Sequence, residues 1–405
     1  MMSHSTPASP DQRPRLAALV SEYRRYSHGQ NIVDRLMGGY GWEDQWHYPA
    51  IDVVSLYVDQ FPENDLSRER ASRYPGLTIY PTIAEALTLG GDQLSVDGVL
   101  IIGEHGDYPL NERGQMLYPR YEFFQEAMEV FRNSGNSVPV FNDKHLSWNW
   151  SWAHEMVQTS RELGFPFMAG SSIPVCWRVP SIDVPFGSEI EEIVSVGVGG
   201  IDTYDFHALE GIQCLAERRA GGETGVASVE ALRGDSVWQA LDDGAWDPSL
   251  LEACLCRSHT LKPADESRRH TFPTREELPN LVEKPPVAYR IQYTDGLRAT
   301  MLLLNGLVRD ITVAARIKGQ SEPLSLLYYL GSGHEMQPNF FNPLCQHIEA
   351  LMETGSAPYP IDRNLLTTGL SIAGVESLHQ GGIVLQTPHL DVTYQIDDKS
   401  TFRRT

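Results

Sequence analysis

Between Leu16 and Asp59 the chain runs from one apolar segment, through a helical pattern, to a second apolar segment ending in an acid. That is the frame of a parallel βαβ unit. Leu16 to Val20 is the first strand, Ile32-Val33-x-x-Leu36-Met37 carries the helix, and Val53 to Val58 is the second strand, closing at Asp59. In a dinucleotide-binding version of this unit, glycines between strand and helix let the backbone approach a pyrophosphate, and an acid after the second strand holds a ribose. Here the connection reads Ser21-Glu22-Tyr23-Arg24-Arg25-Tyr26-Ser27-His28, without a glycine. Tyr23, Arg24 and Tyr26 are expected to occupy the space of a pyrophosphate, so the usual cofactor mode is expected to be altered or lost.

The alternation continues. A helix through Arg68 to Arg73, a strand at Leu77 to Tyr80, a helix from Ile83 to Leu87 and a buried-type strand from Val96 to Ile102 follow in turn. Pro119 stands near the start of a helix ending at Arg132, Val138 to Phe141 is a further strand, and a Trp-rich helix leads to a strand at Pro166 to Ala169. From about Ile173 strand-like runs dominate (Glu191 to Val198, Val287 to Tyr293, Ala299 to Asn305, Ile311 to Ile317), flanked by helices at Phe206 to Arg219 and Phe341 to Glu353. The fold class expected is α/β: a Rossmann-like N-terminal domain followed by an α+β domain with a large, mostly antiparallel sheet. The boundaries expected are a disordered tail over 1–13, the Rossmann-like domain over 14–172, the second domain over 173–390 and a C-terminal tail over 391–405. Lys262 to Pro286 is polar and proline-bearing and is expected to be a surface excursion.

The closing segment Ile348 to Pro360, the helix Leu365 to Gln380 and Gly381-Gly382-Ile383-Val384-Leu385 resemble the C-terminus of the Gfo/Idh/MocA oxidoreductase family. The strand ending at Asp59, Glu85-Ala86-Leu87, Asp97 to Ile102 and Tyr293 to Ala299 are similar to that family as well. The resemblance spans most of the chain and implies the two-domain fold, with a site in the interdomain cleft. Asp143-Lys144-His145 resembles the family's Glu-Lys-Pro motif with only the lysine kept, which implies that Lys144 faces substrate with Asp143 and His145 beside it. Gly199 to His207, followed by Glu210, resembles the segment of the family's catalytic histidine. It implies His207 as proton carrier, with Asp205 and Glu210 near substrate. Lys144 and His207 are expected to face one another across the cleft. Self-association through an exposed sheet face of the second domain follows by the same analogy.

The densest group of potential ligands is Glu104-His105-Gly106-Asp107, directly after a buried strand. Two carboxylates and an imidazole suit an acid/base pair or a divalent ion. His28, after the first strand, is expected at the same edge, giving His28, Glu104, His105 and Asp107 as a ligand set for manganese, iron or zinc. Trp148 is a candidate sugar-stacking surface. Catalytic residues are therefore expected to be Lys144, His207, Glu104 and His105.

The net charge of -21 argues against nucleic acid or an anionic membrane as partner. No apolar run approaches the length of a membrane span, and the polar start carries no signal-peptide core. Five cysteines (Cys176, Cys214, Cys254, Cys256, Cys345) show neither zinc spacing nor an even framework, which fits a reduced, cytoplasmic setting. The function expected is proton-transfer chemistry on a sugar-derived or polyhydroxylated small molecule, with or without a divalent metal, as hydrolysis, elimination or isomerisation. The alternative is an NAD(P)-dependent oxidoreductase in which Asp59 holds the ribose and Arg24 or Arg25 a phosphate.

Overall fold

The computed structural model describes residues 13–265, 267, 271–331 and 338–404. In chain order the N-terminal part consists of β1 (Arg15–Glu22), α1 (His28–Gly38), β2 (Tyr40–Trp42), β3 (Gln45–His47), β4 (Asp52–Gln60), α2 (Ser67–Arg73), β5 (Thr78–Tyr80), α3 (Ile83–Thr88), β6 (Gly98–Ile102), α4 (Arg120–Ser134), β7 (Val140–Asp143), α5 (Trp150–Leu163) and β8 (Phe167–Gly170). Six of these strands form one parallel sheet, ordered β5-β4-β1-β6-β7-β8. The chain starts at β1, winds outward to β5, then returns and winds the other way from β6. That is the doubly wound order, and its ligand crevice lies beyond the C-terminal strand ends where the winding reverses. β1 is buried along all but its first residue and β6 throughout, so continuous apolar runs rather than alternating ones encode them.

The rest comprises β9 (Arg178–Val179), β10 (Ile190–Gly197), α6 (Asp205–Ala216), β11 (Glu223–Thr224), β12 (Val226–Arg233), α7 (Asp235–Asp242), α8 (Pro248–Arg257), α9 (Leu278–Leu281), β13 (Val287–Tyr293), β14 (Arg298–Leu303), β15 (Ile311–Ile317), β16 (Leu324–Tyr328), α10 (Phe341–Thr354), α11 (Ile361–His379), β17 (Leu385–Gln386) and β18 (Thr393–Tyr394). Eight strands form a mixed sheet, β17-β12-β13-β14-β10-β15-β16-β9, in which β10 and β14 run parallel and the other pairs antiparallel.

Two compact units result. The first gathers the described residues within 1–109, 117–172 and 331–361, and the second those within 110–116, 173–330 and 362–405. Helix α10 therefore belongs to the first unit, although in sequence it follows the strands of the second. It is tied there by Glu349, which accepts the Ala50 N–H at 2.6 Å and meets His47 Nε2 at 2.6 Å. Of the tail expected over 1–13, residues 1–12 lie outside the described residues. Arg13 donates to the Pro49 and Ile51 carbonyls, each at 2.7 Å. At the other end β18 pairs with β11, and Phe402 is buried beneath the Arg178 guanidinium at 4.1 Å.

The large sheet is covered on both faces. Strand residues Val194, Val196, Ala288, Leu302 and Ala314 pack with Trp238, Trp246, Leu250 and Cys254 from α7, α8 and their connection. On the opposite face α6 lies along β10, β14 and β15. Helix α11 comes so close to Tyr289 that a Cβ on Gly374 would stand 2.2 Å from its ring, so only glycine fits there. Helices α7 and α8 thus cover one face of the sheet and α6 the other. The excursion over Lys262 to Pro286, as far as it is described, returns to this layer through Leu278 and Leu281. All five cysteines are free, and all but Cys256 are buried.

Candidate functional site

The C-terminal ends of β1, β6 and β7 bring a set of charged side chains together in the first unit. β6 runs into Gly103, and Glu104 follows with 4 % exposure. Its carboxylate accepts from Lys144 Nζ at 2.7 Å on one oxygen and from the Arg120 guanidinium on the other. Arg120 is the first residue of α4 and fully buried, and it also reaches His145 Nε2 at 3.1 Å. Burial alone would push the Glu104 carboxyl up, but Lys144 and Arg120 outweigh it and hold the group well below the usual carboxylate range. Burial likewise opposes the charge on Lys144, and Glu104 and Asp143 overcome it, raising the ammonium above its ordinary value. The result is a fixed cation-anion-cation cluster. The turn carrying it is shaped by Asn142, whose Nδ2 donates to the Asp143 and His145 carbonyls, each at 3.2 Å.

Beside this cluster His28 begins α1, and its Nδ1 meets Asp143 Oδ2 at 2.6 Å, with Asp143 fully buried. The His105 ring stands edge-on to His28 with centroids 5.4 Å apart, and Phe341 packs edge-on to His28 at 5.1 Å. His105 Nε2 is buried without a hydrogen-bond partner. Burial pushes the His105 imidazole down to about 3, so it stays neutral. His105 and Lys144 both adopt left-handed backbone, with φ of 71° and 61°. Non-glycine residues in that region carry strain, which clusters at functional sites.

At the end of β4, Asp59 is exposed, accepting from the Tyr57 hydroxyl at 2.9 Å and the Tyr108 hydroxyl at 2.7 Å. Tyr23 does not fill the expected pyrophosphate space, because its ring is packed in the core and its hydroxyl donates to Asp34 Oδ1 at 2.7 Å. Arg24 pairs with Glu22, and exposed Arg25 stacks on Tyr26 at 4.6 Å. Helix α1 has no acid in its first turn, and Ser27 caps it by accepting from Gln30 N–H at 3.1 Å. Gly29 in that turn lies against β1, where a Cβ would stand 3.0 Å from the Glu22 carbonyl. This is the close helix–strand approach that a fingerprint glycine serves, found a few residues later than the sequence comparison places it.

In the second unit, His207 lies on α6 with Nδ1 3.8 Å from Glu210 Oε2. Asp205, at the start of α6, is fully buried and accepts from Tyr289 at 3.0 Å and Ser371 at 3.3 Å. Burial raises its carboxyl from 3.8 to about 6, with those hydrogen bonds acting against the rise. The folded chain then holds a proton that the unfolded chain releases, so stability falls as pH climbs from 3.8 through about 6. The fall is worth about 3 kcal/mol. Asp205→Asn should remove it, read as the thermal midpoint at about pH 4 and about pH 7. An unchanged pH dependence in the variant would show Asp205 ionised throughout. Trp148, in the first unit, packs edge-on to Trp152 at 4.7 Å, and Trp152 stacks on Tyr121 at 4.6 Å.

The structure thus brings together His28, Glu104, His105, Asp143, Lys144 and His145, and leaves Asp107 outside, exposed, with its N–H held by Gln60 at 2.8 Å. As a metal set the four expected ligands fail. Both Glu104 oxygens hold cations and His28 Nδ1 holds Asp143. Among the described residues no group of three or more His, Cys, Asp or Glu is disposed to bind an ion. Sequence reasoning missed Arg120. Its signal was a cation in the first turn of a helix, which the helix dipole disfavours unless an acid balances it. No described helix is long and apolar enough to cross a membrane.

No family model and no curated relative matches the chain. Solved structures do. A myo-inositol dehydrogenase from Lactobacillus casei, in complex with NAD(H) and myo-inositol, aligns at 10% identity over 93% of this chain and 97% of that one, with a TM-score of 0.57. GenD2 from gentamicin A biosynthesis, in complex with NAD, aligns at 11% identity over 95% and 99%, with a TM-score of 0.57. A myo-inositol dehydrogenase from Corynebacterium glutamicum aligns at 12% identity over 92% and 98%, with a TM-score of 0.53. These findings correct the expectation of a non-redox, metal-assisted hydrolase, lyase or isomerase, because the chains matched from end to end include NAD-bound and inositol dehydrogenases. The chain has the fold of the Gfo/Idh/MocA oxidoreductases.

Proposed function

We propose that this protein is an NAD(P)-dependent oxidoreductase acting on a hydroxyl of a polyol or sugar-derived small molecule. The observation that carries the reading is the match of both units, over nearly the whole chain, to NAD-bound proteins, one of them a myo-inositol dehydrogenase. The residues present fit such a cofactor at three points: Asp59 at the C-terminal end of β4, the acid-free start of α1, and Gly29 against β1. Asp59 would hold the ribose, and the start of α1 with Arg24 or Arg25 the phosphates. NAD(P), when bound, supplies a hydride acceptor or donor.

The chain's own groups do the rest. Lys144, kept charged by Glu104, binds and polarises the substrate oxygen. His207 acts as a hydrogen-bond partner and electrostatic stabiliser of the substrate, with Glu210 and Asp205 beside it on α6. Glu104 and neutral His105 hold fixed charge states, Glu104 orienting the lysine and His105 offering a sealed nitrogen to a bound group. Trp148, Asp143 and His145 flank the lysine in sequence and complete the substrate side of the first unit.

Calorimetric titration with NAD+ and NADP+ tests the reading. One of them should bind with a dissociation constant of roughly 1 μM to 1 mM, the usual range for enzyme substrates. A panel of inositols and aldoses should then yield reduced nicotinamide. Absence of heat with both nucleotides would overturn it.

A further inference from the structure

The first unit holds a second acid/base element, apart from the lysine cluster. Of the groups gathered at the strand ends, Glu104 is held as an anion, Lys144 as a cation and His105 as a neutral ring. His28 differs from all of them in its partner. One ring nitrogen, Nδ1, lies 2.6 Å from a carboxylate that is itself completely buried, while the side chain keeps 11% exposure. Among the described residues its other nitrogen, Nε2, makes no hydrogen bond. The ring is also fixed in orientation, edge-on to Phe341 on one side and to His105 on another. A carboxylate behind a histidine selects the tautomer with the proton on the facing nitrogen and leaves the far nitrogen basic.

We propose that His28 is a proton-transferring residue of this protein, with Asp143 as the residue that positions it. The ligand that this pair takes is a hydroxyl group. When a hydroxyl reaches Nε2, its O–H bond breaks with the electron pair left on oxygen, an Nε2–H bond forms, and the imidazolium produced rests against the Asp143 carboxylate. Lys144, one residue along the chain from Asp143, supplies a permanent cation for the oxygen that has lost its proton. The identity of that hydroxyl as a substrate carbinol rests on the oxidoreductase reading, whereas the dyad rests on the geometry of the first unit alone. Asp143 Oδ1, buried and without a hydrogen-bond partner, is the atom that a bound ligand or water would satisfy as the pair changes charge.

The test starts from the unmodified chain. Long-range 1H–15N spectra of histidine-labelled protein, assigned with His28→Gln, should show His28 protonated at Nδ1. In Asp143→Asn, whose amide can donate to Nδ1, the ring should shift toward the Nε2–H form. With myo-inositol and NAD+ as probe pair, both variants should lose about 10²–10⁴-fold in kcat. Wild-type protein with His28 in the Nε2–H form would overturn the proposal, as would full turnover by Asp143→Asn. If no nucleotide binds, the oxidoreductase reading falls, and the wild-type tautomer alone still decides the dyad.

Discussion

Glu104→Gln is expected to destabilise the first unit by about 3–5 kcal/mol, the usual cost of removing one partner from a buried ion pair. Lys144 and Arg120 both point at this carboxylate and both are buried. A neutral amide would leave two buried cations facing one another. Denaturant unfolding of wild type and variant measures the difference. The pH dependence has a definite sign as well. The carboxyl is held below its ordinary range in the folded chain, so its contribution is complete above about pH 4.5 and is lost as pH falls further. Glu104→Gln should therefore flatten the acid limb of stability. A loss under about 1 kcal/mol would mean that water or another anion already screens the pair.

Lys144→Met and His207→Ala should each lower kcat by about 10²–10⁴-fold, the range for a positioned acid, base or polarising group. Neither should cost as much stability as Glu104→Gln. Lys144→Met leaves Glu104 bound to Arg120 and retains a balanced pair, whereas Glu104→Gln does not. His207, half-buried on α6 and 3.8 Å from Glu210, should be replaced at little structural cost. Activity within a few-fold of wild type for either variant, with correct folding shown by circular dichroism, would remove that residue from the machinery.

The parallel sheet was legible because strands buried on both faces are written as unbroken apolar runs, as in Leu16 to Val20 and Val99 to Ile102. Winding then delivers His28, Glu104 and Lys144 to one edge, so their meeting followed from topology. The ion pairing did not. Arg120 and Lys144 lie 16 and 40 residues from Glu104, and only the fold shows that they neutralise it. A carboxylate beside a histidine therefore read as a metal ligand when it was already the counter-ion of two cations. β12 escaped notice because Glu230-Ala231-Leu232-Arg233 consists of good helix formers, which antiparallel pairing with β13 overrides. The β2–β3 hairpin turns at Glu43-Asp44 without a glycine signal. α10 read correctly as a helix, but its apolar stripe said which side is buried and not which unit buries it.

The layer of α7 and α8 on the large sheet has a consequence for how that unit answers to dilution. A sheet face covered by another molecule stays covered only above some protein concentration. Here the cover is tethered to β12 and β13 by its own chain, so its effective concentration is set by linker length and not by the amount of protein in solution. Trp238, Trp246 and Leu250 therefore remain seated on the sheet however scarce the protein becomes.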